Sequence, residues 1–415
     1  MYKTYCSLIL IIILMMLSTS SYCVELDQAL HAALANNPSI KAKFYSTLEN
    51  RQKIKLNSMS KFLPLVVYSY STRLPDISSS NSTKNMSVSV TQQVFNGGAD
   101  AAAFQQAKYL TSIEEINFLL EKQNILLNAV KAYMKVLTTA EVYKLTQHTE
   151  KVLTEHLVAT EKRFALAEVT KTDVSQATAR LSAARSESIK AYGNMKTAEA
   201  NYVHTIGELP VDLHDPVVPV LPTSLEEALE IAQRNNLSLQ ISNNGYKAAK
   251  QGVLIALGHL LPSVSISAVT SYTEHNVFNK NLNKTEDVFE VKMSLPIFQQ
   301  GLNLGAVTQS ELAVKQKRYA YYEALNAIKE SIISNWEGIY TTNSMLQAAQ
   351  DHVKYTEVVL SGIKKEAELN LRTVLDVLDA EEELLKAKVN LVNVQSNVII
   401  NRYNLLALIG QLNIN

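Results

Sequence analysis

Two carboxylates three residues apart, Asp376 and Asp379, have the spacing that most suggests a shared task. On a helix they stand on neighbouring faces of one turn, with Arg372 one turn earlier. Such a pair can concentrate cations or take an ion-pair partner; taken alone, it reads first as a solvated face of a coil. Patterns for catalysis do not occur. The eight histidines show no zincin or finger spacing, and His148 and His156, eight apart on one tract, read as solvated coil positions. There is no Walker loop, nucleophile elbow or dinucleotide fingerprint. Catalysis is not expected, and no cofactor or metal is implied.

The elements that must position these residues follow from composition. The 415 residues carry 39 Lys+Arg against 39 Asp+Glu, with 19% charged and 47% hydrophobic residues. Zero net charge argues against nucleic-acid binding, and the apolar content argues against disorder. The nine prolines leave 76–209 and 297–415 free of proline. Because proline costs ~3 kcal/mol in a helix interior, these tracts, rich in Ala, Leu, Glu, Lys and Gln, read as long helices.

At the start of the chain, Lys3 precedes the uncharged apolar run Leu8 to Leu17, and the first acidic residue is Glu25. This is the pattern of a secretory signal over 1–23, too short for a permanent membrane helix. Cleavage before Val24 is the preferred reading; acylation of Cys23 is the alternative, which bulky Tyr22 disfavours. Cys6 and Cys23 are the only cysteines, so the exported chain would rely on packing rather than disulfides.

An internal repeat organises the rest. "LDQALHAALANNPSI" at 26 and "LEEALEIAQRNNLSL" at 225 share seven identities in fifteen positions, at an offset of 199. "FLPLVV" at 62 matches "LLPSVS" at 260, and "TQQVFNGGAD" at 91 matches "SLPIFQQGLN" at 294. The repeats span 24–208 and 225–415, joined by a Pro-rich linker, 209–224. In each, helical periodicity ends at Leu-Pro and gives way to alternation of period two. Val66, Tyr68 and Tyr70 alternate with Val67, Ser69 and Ser71; Phe289, Val291 and Met293 alternate with Glu290, Lys292 and Ser294.

Strands are expected near 64–73, 86–95, 262–272 and 287–298, with polar loops at 74–86 and 273–286. Soluble hairpins would show the same alternation. The length of about ten residues, the one-sided apolar face and the export signal favour membrane strands. Four strands cannot close a barrel, since the smallest have about eight, so several chains must share one. "NGG" at 96 and "QQG" at 299 then turn strand into helix.

Long helical hairpins are expected over 98–207 and 301–413. Leu126, Val130, Tyr133, Leu137 and Ala140 follow a coiled-coil seam, and Leu371, Leu378, Leu385, Val392, Ile399 and Leu406 recur every seven residues.

Signal, duplicated helix, paired strands and long coiled-coil hairpins together resemble the TolC-like outer-membrane efflux protein family, across essentially the whole exported chain. The most specific stretches are "LNLRTVLDVLDAEEELLKAK" at 369, "EVTKTDVSQA" at 168 and "RYNLLALIGQLN" at 402. The resemblance implies a fold that is mainly α with a small membrane β part: a homotrimeric twelve-stranded barrel, four strands per chain, in the outer membrane of a Gram-negative bacterium. A long periplasmic α-helical coiled-coil barrel continues from it.

The function implied is a passive outer-membrane channel of a tripartite efflux or type I secretion system. Its partners would be a periplasmic adaptor (membrane fusion) protein and an inner-membrane transporter. Asp376 and Asp379 would form the gate constriction, and Arg372 with Thr172 and Asp173 the latch. Ala167, Glu168, Val169, Asn370 and Leu371 would make the hairpin turns that meet the adaptor. The family usually has Gly where Ala167 and Asn370 stand, and Ala is the poorer substitute for a left-handed turn. A tyrosine of a second latch aligns with Ala367, so that link is absent. The competing class is a periplasmic coiled-coil scaffold or adaptor without a pore.

Overall fold

The computed structural model describes residues 25–73, 82–277, 280–369 and 371–412. The expected signal over 1–23 and the turn residue Asn370 lie outside the described residues. In chain order come α1 (Leu26–Asn36), α2 (Pro38–Met59), β1 (Leu65–Arg73), β2 (Ser82–Asn96), α3 (Ala99–Ala165) and α4 (Lys171–Ile206). The second repeat gives α5 (Leu225–Asn235), α6 (Leu237–Gly258), β3 (Ser263–Val277), β4 (Lys280–Ser294), α7 (Leu302–Glu368) and α8 (Val374–Leu408). The order repeats element for element.

Compact units cut across the repeats. One comprises 41–121 and 233–330; the other takes in the segments up to 40, 122–232 and from 331 onward. Each unit therefore draws on both repeats, and α3 and α7 contribute to both.

In the first of these units, the strands form one antiparallel sheet in the order β1-β2-β3-β4. The register sets Val66 opposite Val90, Val90 opposite Ala268 and Ala268 opposite Phe289. One apolar row thus crosses all four strands. The other face carries Ser69, Ser87, Ser271 and Glu286 in register. Alternation of period two puts these rows on opposite sides. The apolar side chains are bare: Tyr68 is 65% and Phe289 71% exposed. The sheet has no covering layer for this face among the described residues, as a lipid-facing wall requires.

Strand ends depart from the sequence expectation. Of the polar loop expected at 273–286, 273–277 and 280–286 are ladder, and of that expected at 74–86 the described part, 82–86, is ladder as well, while 74–81 lies outside the described residues. Polar residues remain in register because the ladder is backbone-bonded and needs no apolar side. Cross-strand charge helps, with Lys84 Nζ 3.5 Å from Glu274 Oε2. At its other end β4 stops at Ser294 rather than 298, since Pro296 has no N–H to offer.

In the other unit, the largest fully buried side chains include Tyr133, Tyr202, Leu30 and Leu405. The Tyr133 hydroxyl donates to the His214 carbonyl at 2.8 Å and accepts the His214 N–H at 3.2 Å. The Pro-rich linker is thereby pinned to α3, and burial without charge compensation pushes the Tyr202 phenol up to about 12. On α8 the heptad stripe is only partly buried, with Leu385, Val392 and Leu406 half-buried. Leu378 and Ile399 are buried, together with Val377, Leu384, Val398 and Leu405 one place earlier in the heptad. Leu371 is exposed and precedes the helix; it lies in the turn.

Strand passes to helix at Gly97, whose φ is 56° and whose missing Cβ would sit 2.0 Å from the Gly258 carbonyl oxygen. Backbone meets backbone there, so no side-chain rotation relieves a clash. Gly97→Ala should destabilise the sheet–helix junction by about 3 kcal/mol, read as a lower denaturant midpoint of the detergent-solubilised protein.

Candidate gate at the hairpin tips

The two hairpin turns are built alike from their residues. Helix α3 closes with the Ala167 N–H on the Phe164 carbonyl and the Glu168 N–H on the Arg163 carbonyl, both at 2.9 Å, a Schellman arrangement. Ala167 itself is left-handed, φ 60°, the conformation that glycine suits better. Helix α7 closes with the Leu371 N–H on the Glu366 carbonyl at 2.9 Å. Val169 and Leu371 follow the helix ends and leave the tips half-buried and exposed respectively.

Both outgoing helices start with a capping box. Thr170 caps α4 with Asp173, and Thr373 caps α8 with Asp376. The Asp173 carboxylate accepts from the Thr170 N–H and hydroxyl at 2.7 Å each, and Asp376 accepts from the same groups of Thr373 at 2.8 Å. For Asp173 the threonine hydroxyl, and for Asp376 the threonine N–H, is the chief cause that holds the carboxyl below its ordinary value. Both are ionised at neutral pH.

This arrangement commits residues that the sequence assigned to other tasks. Asp376 is a cap, with its carboxylate turned to Thr373. Asp173 is a cap as well, and Thr172 is exposed in the first turn of α4. Arg372 bonds Glu366, Nε to Oε2 at 2.8 Å, and Glu366 raises its pKa first by that bond. The first hairpin mirrors it, Arg163 Nε reaching Glu168 Oε2 at 3.2 Å. Arg372 and Asp173 nevertheless line one cleft of about 600 Å³, together with Lys364 and Glu168.

Asp379 carries the contact between hairpins. Arg180 on α4 donates from Nη2 to Asp379 Oδ1 at 2.5 Å and from Nη1 to Glu382 Oε2. Lys386 bonds Glu382 from the other side at 2.7 Å, and it is the first cause, with Arg180, of that carboxyl's lowered pKa. A fork-shaped guanidinium thus ties the first repeat to the second one turn into α8. Nearby, His156 is half-buried rather than solvated, and burial lowers its pKa more than Glu381 raises it; it is neutral at pH 7. Among the described residues, no cluster of three or more His, Cys, Asp and Glu is placed to hold a metal ion.

Arg180 and Glu382 were missed by sequence reasoning. Arg180 lies seven residues after Asp173 and Glu383 seven after Asp376, so equivalent heptad positions carry opposite charge in the two repeats. That signal was present. So was the T-x-x-D capping signature at 170 and 373.

Residues 29–208 and 228–411 match the family described as outer membrane efflux protein. The chain belongs to that family, and the two matched stretches are its two repeats. It is 26% identical over 335 residues to outer membrane efflux protein BepC of Brucella suis biovar 1 (strain 1330), covering 80% of this chain and 73% of BepC. It is 25% identical over 423 residues to outer membrane protein TolC of Escherichia coli (strain K12), covering 95% and 84%.

Solved structures share the fold. CusC superposes with a TM-score of 0.80 at 16% identity, over 94% of this chain and 93% of that one. VceC of Vibrio cholerae gives 0.79 at 19%, over 93% and 96%. The protein is thus an outer membrane efflux protein with the fold of those solved structures. The scaffold reading falls away.

If Arg180 ties the hairpins, Arg180→Gln should free the start of α8. Two partly exposed pairs are worth about 1 kcal/mol together, so amide exchange over 376–384 should quicken roughly fivefold, with exchange over 398–405 unchanged.

Proposed function

We propose that the protein is a passive duct whose hairpin tips are its gate, and that it supplies no catalytic step. It works as a homotrimer in which three four-stranded sheets form one twelve-stranded barrel. A periplasmic adaptor and an inner-membrane transporter complete the tripartite system, and the transporter supplies the energy. The same duct serves efflux or type I secretion.

The observation that carries the gate is the Arg180 fork on Asp379 and Glu382, which joins the two hairpins close to their tips. In the closed trimer three copies of Asp379, with Asp376 three residues earlier, ring the constriction. Asp379 is 55% exposed at its side chain even while paired, so it retains a free edge for cations. Arg372 is the latch: it leaves Glu366 for Asp173, with which it lines one cleft, and for Thr172 beside it. The turns, exposed at Ala167, Glu168 and Leu371 and half-buried at Val169, are the adaptor's contact.

Single-channel recording separates these roles. Asp379→Asn should weaken block by a trivalent cation at least about tenfold, whereas Asp376→Asn should loosen the α8 start and weaken block less. Arg372→Ser should raise resting conductance. Unchanged block in the double carboxylate variant, with unchanged conductance in Arg372→Ser, would contradict the gate assignment while leaving the channel intact.

A further inference from the structure

We propose that the groove between α2 and α3, where the sheet begins, binds an anionic diacyl glycerophospholipid of the periplasmic leaflet. The inference rests on the reading of β1–β4 as the membrane-spanning elements. All of its residues lie in the unit that contains the sheet.

The groove has two compartments with a common wall. Met59, Phe62, Leu63 and Phe104 alone line a notch of about 280 Å³. Met59 and Phe104 also wall a second cleft of about 580 Å³, to which Arg51, Lys55 and Lys108 contribute. Phe62 lies three residues before Leu65, the first residue of β1, so the notch opens where hydrocarbon gives way to headgroups. Lys55 is seven residues before Phe62, roughly 10 Å along a helix, within reach of a headgroup layer some 5–7 Å deep for a side chain that extends toward it. An apolar slot beside a cationic cleft is the pattern an acyl chain and its phosphate require.

Charge within the groove is only partly compensated. Arg51 lies 3.0 Å from Glu115, and Lys61 lies 3.8 Å from Asp100. Lys55 and Lys108 have no carboxylate partner among the described residues. Lys108 Nζ sits 4.9 Å above the Phe104 ring, which meets the Phe62 ring edge-on at 6.3 Å between centroids. The aromatic pair therefore holds an ammonium at the lip of the apolar notch.

The second repeat acts as an internal control. On the Leu-Pro alignment Lys55 corresponds to Val253 and Phe62 to Leu260; on the alignment of 91 with 294, Lys108 corresponds to Glu311 and Phe104 to Val307. At these four positions the second repeat carries neither the cations nor the aromatic pair, so the helix pair folds without them there.

The test is native mass spectrometry of the full-length detergent-purified protein, titrated with palmitoyl-oleoyl phosphatidylglycerol, with phosphatidylcholine of the same chains, and with glycerol 3-phosphate. At about fivefold per lysine near an anionic headgroup, phosphatidylglycerol should be retained roughly 25-fold over phosphatidylcholine. Lys55→Gln/Lys108→Gln should abolish that preference, and glycerol 3-phosphate should not be retained. Equal retention of the two lipids, or a preference that survives the double substitution, would overturn the site. Glycerol 3-phosphate held as tightly as the lipid would overturn it in favour of a phosphate site. Conductance of the same preparation keeps the two claims apart: a conducting channel without lipid preference fails this site alone, whereas absence of conductance fails the underlying membrane reading.

Discussion

A four-stranded sheet with two open edges is the constraint around which the chain is organised. β1 and β4 each leave one row of N–H and C=O groups unpaired, and hydrocarbon offers these groups no partner. Closure is the only remedy, and four strands are too few to close alone. Assembly is therefore part of folding for this protein. The apolar row from Val66 to Phe289 has the same consequence from the side-chain end: it is stable only once lipid covers it.

The duplication solves the supply of strands and sets the character of the helical part. Each repeat delivers one strand pair and one long helical hairpin, so every chain brings two hairpins whose outgoing helices start with the same capping box. Equivalent backbones then allow inequivalent charges. Arg180 in one hairpin faces Asp379 and Glu382 in the other, which joins the two without a disulfide. Pairs of this kind, part-exposed and individually weak, suit a device that must open. The deep packing of Tyr133, Tyr202 and Leu405 suits the part that must not.

Much of this was legible because long-range order here is carried by short-range periodicity. The offset of 199, the switch from helical spacing to alternation at Leu63 and Leu261, and the heptads of the last tract each mark one element. What escaped is of two kinds. Strand ends were misread because polar ladders such as Thr273–Lys284 bond through the backbone and leave no apolar trace. The roles of tip residues were less legible because one side chain has several possible partners: Asp173 and Asp376 could face a pore, an arginine or their own helix start, and in the single chain each bonds the threonine three residues earlier. Arg372 likewise finds Glu366 within its own hairpin. Arg180 was overlooked because its meaning lies in a pairing between repeats.

The central claim is that these chains close together into a conducting pore. It is tested most directly by single-channel recording of the detergent-purified wild-type protein in a planar bilayer, with a trivalent cation added to each side in turn. A shared barrel should give small, long-lived unitary openings that are blocked from one side only, the side of the hairpin tips. A folded protein that stays soluble without detergent and never conducts would contradict it.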